Sequence, residues 1–149
     1  MRPLLGLSPR GFGRIGLASL FLASGIGHFV DSDAFVAIVP PYLPSPLALV
    51  AISGAFEIAG AIGLLLPATR HAAGIVLILL MIAVFPANLH MALHADEFPR
   101  FAPWLLWVRL PLQAVLIAWA WWCSVSVHST RKASRIAALP VERVRPQAY

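Results

Sequence analysis

The stretch PLALVAISGAFEIAGAIGLLL, residues 46–66, decides the fold. It is apolar throughout except for one charge, Glu57. A helix needs about 20 such residues to cross a hydrocarbon core roughly 30 Å thick. Pro46 suits a first helical turn, and Pro67 stops the far end. Glu57 follows Pro46 by eleven positions, which puts it about 16 Å along the helix and near mid-membrane.

The same reading extends outward. Residues 15–30, 71–95 and 110–130 carry no Asp, Glu, Lys or Arg. They predict three further spans, at about 14–30, 71–93 and 103–123, with 1–13 before them and a basic tail at 124–149. The composition agrees. Of 149 residues, 60% are hydrophobic and 11% charged, and mean hydropathy is +0.83. Soluble domains run about 45–50% apolar and about 25% charged, and a small soluble fold leaves too much surface exposed to hide this excess. A water-soluble enzyme and a disordered chain are both excluded. The fold class expected is all-α, an integral membrane four-helix up-down bundle.

Charge placement gives the orientation. Arg2, Arg10, Arg14, Arg70 and five Lys or Arg residues in the tail fall on one side, whereas Arg100 lies on the other with Asp31, Asp33, Asp96 and Glu97. Basic residues mark the cytoplasmic side, so both termini should be cytoplasmic. The net charge of +5 is therefore a topology signal. The basic residues show no aromatic interleaving and no recognition motif, so no nucleic-acid partner is expected. The partners expected are the lipid bilayer, a redox protein and a second copy of the chain. An alternative makes residues 1–24 a cleaved leader cut near Ala23 and Ser24; the apolar run to Val30 speaks against it. The single cysteine, Cys123, can form neither an internal disulfide nor a redox pair, and reads as an inert buried thiol.

Ionisable groups inside spans cost about 2.5–3.5 kcal/mol on insertion scales, so each is a candidate site residue. Glu57 has Ser53, Gly60 and Ala61 on its own helix face and is expected to be either protonated or paired. Arg109, six residues into the fourth span, has Gln113 at i+4; it either reaches the surface or pairs with Glu57. Asn88 follows Pro86, which frees the carbonyl of Ile82 for it to bond. His28 lies near the end of the first span as an interfacial, capping or site histidine. His90 points away from Asn88, and His71, His94 and His128 read as solvated. His28, Glu57, Asn88, Arg109 and Gln113 come from four spans but share one leaflet, which predicts a polar, outward-opening pocket. No metal, haem or nucleotide ligand set is legible.

Four strings resemble the DoxX family of small bacterial four-span membrane proteins: IVPPYLPSP at 38–46, SGAFEIAGAIGLLLPATR at 53–70, FPANLHMAL at 85–93 and RLPLQAVLIAWA at 109–120. The resemblance covers most of residues 14–122. It implies a four-helix bundle of the bacterial inner membrane. Because the family takes its name from a thiosulfate:quinone oxidoreductase subunit, it also implies a quinone and a redox partner. Family likeness alone is a weak guide to activity, and no self-contained catalytic constellation supports an enzyme. Three functions stay open: an accessory protein binding a quinone-like lipophile, a scaffold with an internal polar network, and transport of a small solute or proton by an oligomer.

Overall fold

A computed structural model describes residues 8–125. Every regular element in that range is helical. The long helices are α1 (Pro9–Val30), α3 (Pro46–Leu65), α4 (Arg70–Leu93) and α5 (Pro103–Ala120), with a short α2 (Ser32–Ala37) after α1. A 3-10 turn spans Ala95–Glu97, and a π-helical turn, Trp121–Val125, follows α5. Four segments are long and apolar enough to cross a membrane: Pro9–Val30, Pro46–Leu65, Arg70–Leu93 and Pro103–Val125. The tail beyond Val125, including His128, lies outside the described residues.

The spans match the expected ones with one correction. α1 begins at Pro9, not near Arg14. The Ser8 hydroxyl accepts from the Gly11 amide at 3.2 Å, and Pro9 occupies the first helical position, a favoured way to start a helix. Two arginines are accommodated in this added turn. Arg14 donates through Nη1 to the Cys123 carbonyl at 3.1 Å. Arg10 lies over the Trp122 ring, 5.9 Å from its centroid, within cation–π range.

The exterior is apolar. Leu79, Val115, Ile62 and Phe29 are all more than half exposed, an arrangement that suits lipid and not water. The interior holds His28, Ser53, Glu57, Gln113 and Ser124. Two apolar clusters bracket most of these polar residues. One contains Leu17, Phe21, Leu64, Leu77 and Met81; the other contains Met91, Ala92, Phe98 and Leu106. Along each long helix, the candidate site residues fall beyond or between the two. Cys123 is free and fully buried.

The helices come together through missing side chains. α1 and α3 cross where Gly25 faces Gly54. A Cβ on Gly25 would lie 2.8 Å from Ile58 Cγ1 and 2.9 Å from the Gly54 carbonyl oxygen; one on Gly54 would lie 2.6 Å from His28 Cβ. Close backbone approach of this kind drives helix association in lipid, where no hydrophobic force acts between helices. Gly27, by contrast, has its nearest neighbour, the Phe35 ring, at 3.5 Å. Gly25→Ala and Gly54→Ala should therefore each lower unfolding free energy by about 1–3 kcal/mol, the usual cost of overpacking. Gly27→Ala should be neutral or slightly stabilising, since alanine is the better helix former by about 1 kcal/mol. Denaturant titration in mixed micelles measures all three.

Candidate functional site

One cavity of about 500 Å³ lies among the long helices and is lined by all five candidate residues, His28, Glu57, Asn88, Arg109 and Gln113. Its size falls within the range of small-molecule sites. The wall is largely hydrocarbon, with Val50, Leu80, Val84 and Leu116 among the lining residues. The pocket is thus an apolar chamber with a few polar groups, not the polar pocket the sequence predicts. Ser24 and Ser53 also line it.

Each polar group arrives by a different local cause. His28 sits in the last turn of α1. Its Nδ1–H donates to the Ser24 carbonyl at 3.0 Å; a carbonyl can only accept, so this nitrogen carries the proton. The ring stacks on Phe35 of α2, with centroids 4.0 Å apart. The residue is buried, at 8% exposure. The Gly25–Gly54 crossing then sets Glu57 beside it, with His28 Nδ1 3.8 Å from Glu57 Oε2. That distance gives electrostatic contact but no hydrogen bond. Glu57 Oε2 is buried without any hydrogen-bond partner, an unusual condition for a buried polar atom.

Arg109 does not pair with Glu57. It donates through Nη1 to Met91 Sδ at 3.2 Å, a weak acceptor. A guanidinium has five N–H donors, and no other hydrogen bond of Arg109 occurs among the described residues. Asn88 also departs from expectation. It bonds no freed carbonyl; its Nδ2 donates to Gln113 Oε1 at 2.9 Å. Gln113 in turn donates through Nε2 to the carbonyl of Met81. The reason is reach. Gln113 reaches α4 from the neighbouring helix and binds the Asn88 side chain and the Met81 backbone, two turns apart on α4, together. Asn88 and Gln113 therefore latch α4 to α5.

Among the described histidines, His71, His90 and His94 do not line the cavity. The His90 and His94 rings meet tilted at 42° with centroids 4.2 Å apart, and His94 Nδ1 donates to the His90 carbonyl at 3.0 Å. His71 is half-buried, as is His94, so neither is the solvated residue expected. No group of three or more His, Cys, Asp or Glu side chains suited to a metal ion occurs among the described residues. Sequence reasoning missed Ser24, Phe35 and Met91. Ser24 was detectable, because it precedes His28 by four residues and shares its face.

These features define a multi-pass helical membrane protein with an internal cavity. The chain belongs to the family described as Domain of unknown function (DUF8561), whose model matches residues 17–124. No curated protein matches the chain, and no solved structure matches it.

The latch is testable by a double-mutant cycle on Asn88→Ala and Gln113→Ala. Side-chain hydrogen bonds within membranes average about 0.6 kcal/mol and reach about 1.7. The coupling energy should fall in that interval, and Gln113→Ala should cost more than Asn88→Ala because it also removes the bond to Met81. Micellar unfolding supplies the measurement.

Proposed function

We propose that the protein binds a lipophilic small molecule, quinone-like in its polar head, in the cavity beside Glu57, as an accessory to a redox system of the bacterial inner membrane. The observation that carries this reading is a chamber of about 500 Å³ lined by both Glu57 and Arg109, with Glu57 Oε2 buried and without a hydrogen-bond partner. Hydrocarbon walls suit a ring or chain, and a few convergent polar groups suit its head. The resemblance to the DoxX family supplies the redox association and the inner-membrane location. No metal or catalytic constellation forms part of the reading.

In this proposal the four spans run alternately up and down. The contact register supports it: Gly25 approaches Ile58 while His28 approaches Gly54, and Gly60 approaches Leu77 while Gly63 approaches Ala73. Descending numbers meet ascending ones at both helix pairs. Counting Lys and Arg then sets both termini in the cytoplasm and the cavity in the outer leaflet.

A scaffold reading holds for part of the site. Asn88 and Gln113 satisfy each other and the Met81 backbone, so they fix helix register and are not the head-group contacts. The ligand-facing pair narrows to Glu57 and Arg109. A short-chain quinone titrated into vesicles containing the protein should quench tryptophan fluorescence saturably. Glu57→Gln should weaken that binding about five- to tenfold, the worth of one hydrogen bond of about 1–1.4 kcal/mol. A response that never saturates, or equal affinity in Glu57→Gln, contradicts the proposal.

A further inference from the structure

We infer that the cavity exchanges its ligand sideways with the bilayer, through the lipid-facing flank of the bundle, and that the head it takes up is a neutral hydroxyl, as in the reduced, quinol form of a quinone-like lipophile. This rests on the ligand-binding reading above and adds the route and the head chemistry.

The route follows from which lining residues are exposed. Leu49 and Ile52 on α3, Ala83 on α4 and Leu112 on α5 all line the cavity, and all four are exposed. Exposed lining residues on three neighbouring helices point to an opening between them. The opening is not at a helix end. Ile52 lies about 9 Å along α3 from Pro46, Leu112 about 13 Å along α5 from Pro103, and Ala83 about 15 Å back along α4 from Leu93, at 1.5 Å per residue. In a hydrocarbon layer roughly 30 Å thick, these depths face acyl chains, not water. The rim is wholly apolar.

The end of the cavity is covered instead. The segment between α1 and α3 contributes Phe35, Ile38, Val39 and Leu43 to its wall. Phe35 is held by its stack on His28, Pro40 is fully buried, and the Leu43 amide donates to the Pro40 carbonyl at 3.0 Å. A solute arriving from water meets this apolar cover. A molecule dissolved in the bilayer meets an opening of its own polarity.

Depth and donor inventory set the head chemistry. Glu57 lies about 16 Å along α3 and Arg109 about 9 Å along α5. Carrying a phosphate or ammonium head sideways to that depth costs several kcal/mol, which disfavours a phospholipid. Glu57 Oε2 is buried without a hydrogen-bond partner, and Arg109, also in the cavity wall, offers donors. A hydroxyl can donate to a carboxylate oxygen and can accept from a guanidinium N–H, so a group of this kind suits either side chain. The apolar body then leaves through the rim into the lipid.

The probe is hexadecanol carrying a photoreactive diazirine near its tail, added to the full chain in phosphatidylcholine vesicles. Labelling should saturate, should be competed by plain hexadecanol and not by hexadecane, and should map to residues 49–52 and Ala83. Ala83→Trp and Leu112→Trp each place an indole at an exposed rim position; each should slow labelling about tenfold, while melting temperature stays unchanged. If one variant misfolds, the other serves. Saturable labelling concentrated in residues 35–43 and indifferent to both tryptophans overturns the sideways route but leaves ligand binding intact. Equal competition by hexadecane overturns the hydroxyl requirement alone. Labelling that never saturates overturns the inference, and the quinone titration decides the binding proposal separately.

Discussion

α1 and α3 touch where neither helix has a Cβ, and the arrangement of the site depends on that contact. Gly25 and Gly54 face each other so closely that an added methyl on Gly25 would lie 2.9 Å from the opposite carbonyl. The crossing fixes both the distance and the rotation of the two helices. It thereby places His28 within 3.8 Å of Glu57 and directs both side chains to the bundle interior. In lipid, where apolar side chains gain nothing by leaving their solvent, such backbone approach is a principal source of specificity.

From that contact the cavity follows. One apolar cluster closes the bundle around Leu17, Leu64 and Leu77, and another closes it around Met91 and Leu106. Between them stand side chains that pack less completely. The polar groups divide by how they are satisfied. Asn88, Gln113 and His28 spend their hydrogen bonds within the protein. Glu57 keeps one oxygen without a partner, and Arg109 gives its one hydrogen bond to a thioether. A purely structural network would be expected to close on itself, because an unsatisfied polar group in a low-dielectric interior is costly. On the proposed reading, this incompletely satisfied pair is what a bound ligand would complete.

Much of this was legible in the sequence, because lipid imposes a simple rule. Long apolar runs carrying at most one charge located all four long helices, and the candidate polar residues within them proved to line one cavity. Other features were not legible, for reasons of geometry. The start of α1 at Pro9 was obscured by Arg10 and Arg14, whose partners, Trp122 and the Cys123 carbonyl, lie more than a hundred positions away in the chain. Pairing Glu57 with Arg109 was reasonable on depth alone, but depth carries no information about rotation, and the glycine crossing turned Glu57 toward His28. The bond from Gln113 to Met81 was hidden because any carbonyl along α4 is a formal candidate until the α4–α5 register is known. Phe35 could not be assigned to the site until α2 folded over the cavity.

The most direct test of the central claim, that the chamber beside Glu57 is a ligand site, is a high-resolution structure of the protein in nanodiscs of native lipid. The account predicts elongated density whose polar end lies within hydrogen-bond distance of Glu57 Oε2 and whose body runs out past Ile52 into the lipid. A cavity closed by inward movement of α5, with Arg109 donating directly to Glu57 and no density between the helices, would contradict it.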